Sequence, residues 1–134
     1  MNRYSTVVYD TPASNREGGV NGGLGLIRTR VIAQNGRTAD GYTDGLGRRT
    51  KSIDDPAGLA IITQFQYYAD SQLSKIIDAN RNETNYSYNS RGLKATETYD
   101  DGKGWTFAYD RLGRQTSKTD GAGKVASFDY SGLP

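Results

Sequence analysis

The chain of 134 residues contains no cysteine and no histidine. Without cysteine there is no disulfide, no thiolate nucleophile and no Cys-ligated zinc, and the redox compartment leaves no trace in the sequence. Without histidine the commonest general base and metal ligand is missing too. Neither a metal nor a cofactor is expected. Apolar residues are scarce, at 34% of the chain. The longest aliphatic run, Leu59-Ala60-Ile61-Ile62, falls far short of the roughly 20 residues of a membrane-spanning helix. The opening MNRYSTVVYD lacks the apolar core of about 7 residues that marks a secretory signal. An excess of one charge is also absent. There are 8 basic and 6 acidic residues through Tyr67, then 9 and 9 beyond it. No tail or block of charge offers a footprint for nucleic acid.

The chain does have glycine and tyrosine, with 17 of the first and 10 of the second, and they recur at a fixed interval. Four aromatic triplets, Phe65-Gln66-Tyr67, Tyr86-Ser87-Tyr88, Phe107-Ala108-Tyr109 and Phe128-Asp129-Tyr130, follow one another at intervals of 21 residues. Internal repetition at this period marks an array. Residues i and i+2 share a face in a strand and diverge in a helix, so each triplet suits a strand with one buried face. Trp105 extends that face ahead of Phe107 and Tyr109. The intervening Thr106, Ala108, Ser127 and Asp129 are small or polar, as the outward side of a half-buried strand requires.

One unit divides into a turn at Asp110–Gly113, a polar strand from Arg114 to Thr119, a turn at Asp120–Lys124 and an aromatic strand from Val125 to Tyr130. It is a β-hairpin plus the turn to the next hairpin. Asn35-Gly36, Asp44-Gly45, Asp101-Gly102 and Asp120-Gly121 mark turns in which glycine supplies a positive φ. The copies vary. Asp44-Gly45-Leu46-Gly47-Arg48 matches Asp110-Arg111-Leu112-Gly113-Arg114 closely, and Asn89-Ser90-Arg91-Gly92-Leu93 less so. Asp70-Ser71-Gln72-Leu73 lacks the glycine. Leu73–Ile77 is read as a strand despite helix-compatible spacing, and the interval from Tyr42 to Tyr67 carries an insertion. Residues 1–31 fit the pattern least and include the Gly-rich loop Thr11–Gly23; residues 32–134 form the array. The apolar groups of one hairpin cannot offset the entropy of ordering it, so each needs neighbours at its edges and over its aromatic face.

These motifs resemble the YD-repeat core of Rhs proteins, bacterial insecticidal toxin complex components and teneurins. The likeness covers about residues 32–134 and is strongest over 86–130. It rests on Tyr109-Asp110, Gly113-Arg114, the Asp/Gly turn and the returning Phe128-x-Tyr130. It implies an all-β, antiparallel hairpin repeat array, an open curved sheet forming part of a shell. The structural repeat positions are Phe65, Tyr67, Tyr86, Tyr88, Trp105, Phe107, Tyr109, Phe128 and Tyr130, with Gly47, Arg48, Gly92, Gly113 and Arg114 in the turns. The implied role is non-catalytic: a shell wall that encapsulates or presents a C-terminal toxin, secreted or at the cell surface as part of a larger bacterial protein. The implied partners are further YD repeats, other copies of the chain and a toxin cargo. Nucleic acid and membrane insertion are not expected. A module binding glycans through exposed aromatic faces is the alternative.

Other candidates carry less. Asp55-Pro56-Ala57-Gly58-Leu59 resembles the Asp-Pro-x-Gly elements linked to self-cleavage in Rhs proteins, but no second Asp-Pro follows. It reads as a turn in which proline fixes φ and Gly58 supplies the left-handed residue. The pairs Asp54/Asp55 and Asp100/Asp101 fall in turns, where carboxylates bond local backbone rather than act as acid and base. Gly121-Ala122-Gly123-Lys124 lacks the spacing of a phosphate loop. The glycines at 18, 19, 22, 23 and 25 lack the aspartates of a calcium repeat. Arg28 and Arg30 share a strand face, which with Arg48/Arg49 scarcely makes a patch. The last residues, Tyr130–Pro134, align with the opening of a repeat. The expectation is therefore a piece of a longer array with an exposed edge, prone to self-association.

Overall fold

The computed structural model describes residues 6–10, 27–33 and 35–132, with backbone alone at 6–10. The described residues form eleven strands and no helix. The chain divides into two compact units, Met1–Phe65 and Gln66–Pro134.

The first unit contains β1 (Thr6–Asp10), β2 (Ile27–Ile32), β3 (Thr38–Thr43), β4 (Arg49–Asp54) and most of β5 (Ile61–Tyr67). The second contains β6 (Leu73–Ile77), β7 (Glu83–Tyr88), β8 (Lys94–Tyr99), β9 (Gly104–Tyr109), β10 (Gln115–Asp120) and β11 (Val125–Ser127). Within each unit the strands lie side by side in chain order, antiparallel, and the first does not pair with the last. This is an open antiparallel hairpin array, as the period-2 aromatic pattern predicts. Leu73–Ile77 is a strand: the adjacent β-branched pair Ile76-Ile77 and a place between two turns outweigh its helical spacing. β11 is shorter than the expected Val125–Tyr130, although the Phe128 amide still donates to the Thr116 carbonyl at 2.8 Å. The Gly-rich loop and the glycines at 18 to 25 lie outside the described residues.

Among the described residues, eight turns share one design. The first residue's amide donates to the carbonyl of the fifth, and the fourth residue's amide donates back to the carbonyl of the first. The fourth residue always has positive φ: Gly36, Gly47, Ser71, Arg81, Gly92, Gly102, Gly113 and Gly123. This is the three-residue hairpin loop, a type I turn followed by a left-handed residue. Two sequence readings need correcting. In Asp44-Gly45 and Asp120-Gly121 the left-handed residue is not the glycine after the aspartate but the later Gly47 or Gly123. A two-residue hairpin loop would need positive φ beside the aspartate; the longer loop moves that demand two positions on. At Ser71 and Arg81 non-glycine residues take the left-handed conformation at φ 70 and 68.

The exception is the insertion between β4 and β5. Here Asp55 and Ala60 have positive φ (52 and 48), and the Asp55 carbonyl accepts from both Gly58 and Ala60 at 3.0 Å. The sequence reading assigned the left-handed residue to Gly58. A Cβ at Gly58 would instead meet the Asp55 carboxylate, which would have to swing aside to make room.

No hydrophobic side chain among the described residues is buried. Asp40 alone is, at 3% exposure, held by two 2.7 Å bonds from Arg30 directly opposite on β2. The expected alternation is present, with Trp105, Phe107 and Tyr109 half-buried and Thr106 and Ala108 exposed. The face expected to be buried is only half-covered. Each described sheet is one layer thick, so its better-covered face is shielded only by neighbouring side chains.

Candidate functional site: a face of rings and cations

Five of the eight turns begin with an aspartate or asparagine: Asp44, Asp78, Asn89, Asp110 and Asp120. The Oδ1 of each accepts the backbone amides two and four residues on. In the remaining three, Asn35, Asp70 and Asp101 at the third position accept the amide two residues on. Asn89 thus performs the task of Asp44 and Asp110, although its sequence match is looser. In the two Asp-x-Leu-Gly-Arg turns the arginine closes the loop, as Arg48 Nε and Arg114 Nε each reach the aspartate Oδ2 at 2.7 Å. The Arg48 side chain holds the Asp44 carboxyl below its ordinary pKa. At Asp110 desolvation pushes the pKa up, but the Arg114 side chain and the turn amides outweigh it and the net shift is downward. These side chains are engaged within their turns, of which Gly47, Arg48, Gly92, Gly113 and Arg114 are members. Asp100/Asp101 fall in the turn between β8 and β9. Asp101 is held below its usual range by the Lys103 backbone amide and then the Lys103 side chain. Of the other paired carboxylates, Asp54 ends β4 and Asp55 opens the inserted turn.

The second tyrosine of the repeat has one recurring partner. Tyr88 Oη donates to the Leu73 carbonyl at 3.0 Å, Tyr109 to Lys94 at 2.8 Å and Tyr130 to Gln115 at 2.9 Å. Leu73 and Lys94 open the strands before those of Tyr88 and Tyr109, and Gln115 opens the strand before β11, beyond whose end Tyr130 lies. The register slips after Ser87 and between Gln115 and Ser117, as it does at Tyr42/Thr43. Such bulges increase local twist and re-aim side chains.

Residues directly opposite in register share a face. In the second unit one face therefore carries Tyr86, Glu97, Trp105, Phe107 and Lys118, and the other carries Ser87, Thr96, Thr106 and Thr119. The rings of the first face do not stack on their equivalents one repeat away. Lysine stands between them: Lys94 Nζ lies 5.6 Å from the Tyr86 ring centroid and 4.9 Å from that of Phe107. Glu97 holds Lys94 at 2.7 Å and also accepts from Tyr99 Oη at 2.8 Å. The Glu97 bond raises the Lys94 pKa, and the Lys94 bond lowers that of Glu97. Desolvation, then Glu97, raises that of Tyr86. Lys118 lies 4.8 Å from Trp105, Arg114 4.6 Å from Tyr130 and, in the first unit, Lys51 4.4 Å from Tyr42. Tyr68 and Tyr88 make an edge-to-face pair at 6.3 Å.

The structure therefore joins Tyr86, Tyr88, Trp105, Phe107, Tyr109 and Tyr130 in one latch-and-cation system. Phe65 and Tyr67 are half-buried along β5, and Phe128 is exposed at 42%. Lys51, Lys94, Glu97 and Lys118 were missed by sequence reasoning. Their signal was present, since Lys118 stands opposite Phe107 once the hairpin is registered. Arg28 and Arg30 do share a face of β2, with Arg30 committed to Asp40. No group of three or more acidic side chains capable of holding a metal occurs among the described residues. No family model matches the chain, and no curated protein matches it.

Proposed function

We propose that the chain is a non-catalytic structural segment of a larger YD-repeat protein of the Rhs type, a stretch of shell wall that encapsulates or presents a C-terminal toxin. The observation that carries this reading is the latch repeated from Tyr88 to Tyr109 to Tyr130 in a layer with no buried hydrophobic side chain among the described residues. A domain that folds around its own core buries apolar residues. A layer held through backbone pairing, phenol latches and cation–ring contacts has the construction of a wall. The carboxylates of its turns are spent on local geometry. In this reading the wall is secreted or displayed at a bacterial cell surface, and its neighbours are further repeats. The test is limited proteolysis of the longer polypeptide that contains this segment. The region C-terminal to the array should resist protease until the array is unfolded, and cleavage at the rate of the free region would overturn the proposal.

Binding of glycans by the aromatic face is the second reading. It is favoured by the exposure of Tyr68 and Phe128, at 45% and 42%. The cations over Tyr42, Tyr86, Trp105, Phe107 and Tyr130 oppose it, because each occupies a ring face that a sugar would stack on. Binding of the purified chain on a glycan array, lost on Phe128→Ala, would select it.

A further inference from the structure

The tip of the hairpin that joins β2 to β3 carries a reactive pair. Asparagines stand among the described residues at 35, 80, 82, 85 and 89, and of these Asn35 alone precedes a glycine. Asn35, Gly36 and Arg37 are all exposed, and a Cβ built on Gly36 would have nothing within 4 Å. The main-chain nitrogen after Asn35 is therefore unshielded by any side chain of its own residue. Asn35 Oδ1 accepts the Arg37 amide at 3.1 Å, which turns the side-chain carbonyl toward the chain that follows and polarises it. The Gly36 amide donates to the Ala33 carbonyl at 2.9 Å, and this is the bond that must open before its nitrogen can react. Asn80 holds the same third place in its own turn. It is followed by Arg81, whose Cβ stands beside the corresponding nitrogen.

We propose that Asn35 is a site of spontaneous deamidation. The Gly36 nitrogen, having lost its proton to solvent base, bonds to Asn35 Cγ. Negative charge gathers on Oδ1, where the Arg37 amide is already placed to stabilise it. The Cγ–Nδ2 bond then breaks, and the amide group takes a proton from water and leaves as ammonia, closing a five-membered succinimide. Water opens that ring at Cγ to give aspartate, or at the main-chain carbonyl carbon to give isoaspartate. The fold already holds the aspartate form elsewhere. At the matching position between β8 and β9, Asp101 Oδ1 accepts the Lys103 amide at 3.0 Å, and its carboxylate lies 3.2 Å from Lys103 Nζ. Deamidation converts the tip at 35–37 to the same sequence of acid, glycine and base. Isoaspartate instead adds a methylene to the main chain inside a loop closed by two backbone bonds. The inference rests on the geometry of this turn and is independent of the shell reading.

The test is peptide mapping by mass spectrometry after the full chain has stood in mildly alkaline heavy-oxygen water. Trypsin releases residues 31–37, whereas the other Asn-Gly pair, Asn21-Gly22, falls in residues 17–28 and is read separately. Residues 31–37 should take up the label, as aspartate and isoaspartate, ahead of Asn80, Asn82, Asn85 and Asn89. The rate should stay within about tenfold of that in a synthetic peptide of residues 31–37, because one exposed loop bond is all that must open. Gly36→Ala should slow the reaction in chain and peptide alike. Asn35→Asp should keep the far-ultraviolet circular dichroism spectrum and melt no lower than the parent at neutral pH. The site is overturned by conversion more than about tenfold slower than in the peptide, by labelling of another of these asparagines first, or by an unchanged rate in Gly36→Ala. A lowered melting temperature in Asn35→Asp would overturn the fit of the product.

Discussion

The Tyr109 hydroxyl donates a 2.8 Å hydrogen bond to the Lys94 carbonyl oxygen, 15 positions back in the chain, and Tyr88 and Tyr130 repeat the relationship at the same separation. The end of one strand is thereby fastened to the start of the strand before it, beside a bulge that backbone pairing leaves irregular. Tyr109→Phe keeps the ring and deletes only the donor. It should cost about 0.5–1.5 kcal/mol in urea unfolding, the net worth of one such bond. Equal loss from Tyr88→Phe and Tyr130→Phe would show that the three latches are equivalent. No loss in any of them would remove the latch from the account of stability.

Phe107→Ala should be milder than truncation in a closed core, because the ring is half-buried and no hydrophobic side chain around it is fully covered. Half of a full burial plus one cation–ring contact comes to about 1–2.5 kcal/mol. The exposed neighbour Thr106→Ala should change stability by less than about 0.5 kcal/mol. Chemical denaturation of the two variants side by side checks the assignment of faces.

The position of the left-handed residue is tested by paired glycine substitutions. Gly113, at φ 83, should lose about 1–2 kcal/mol on mutation to alanine, the penalty for a Cβ in that conformation. Gly45, which has no positive φ, should tolerate alanine within about 0.5 kcal/mol. The reverse order would restore the two-residue loop that the Asp-Gly pair suggests.

Acid should weaken the turns. The Asp44, Asp78 and Asp110 carboxyls all titrate below their ordinary value in the folded chain. A depressed folded pKa gives a contribution that is complete above the unfolded value, about 3.9, and is lost as pH falls through the folded one. Stability should therefore hold from neutral pH down to about 5 and decline below about 4. Asp44→Asn with Asp110→Asn keeps the Oδ1 acceptor, as Asn89 demonstrates, and removes the titrating charge. Melting temperature followed against pH should show a shallower acid limb for the double variant than for the parent.

Much of this fold was legible because strand and turn chemistry are local. The i, i+2 aromatics fixed the strands and faces, and the recurrence of Asp or Asn fixed where the chain reverses. Gly47 rather than Gly45 was not legible, because the choice depends on which hydrogen bonds close the loop and not on the dipeptide. Ser71 and Arg81 hide the same conformation behind residues that rarely adopt it. The latch was out of reach as well, since it joins residues 15 positions apart that no local motif pairs. Lys94 looked like one residue of a polar strand, and only register places it between Tyr86 and Phe107.

The latch also bears on how such a chain changes length. Excising residues 88–108 joins Ser87 to Tyr109, and the new junction reads Tyr-Ser-Tyr-Asp-Arg-Leu-Gly-Arg. Tyr109 then stands where Tyr88 stood, with Leu73 the same 15 positions behind it. The turn that follows is one that already closes on its own aspartate and arginine. A genetic exchange in register at this period adds or deletes a hairpin and a connection without creating a loop that the chain does not already know how to close. Copy number is therefore the dimension along which this architecture varies with least structural damage.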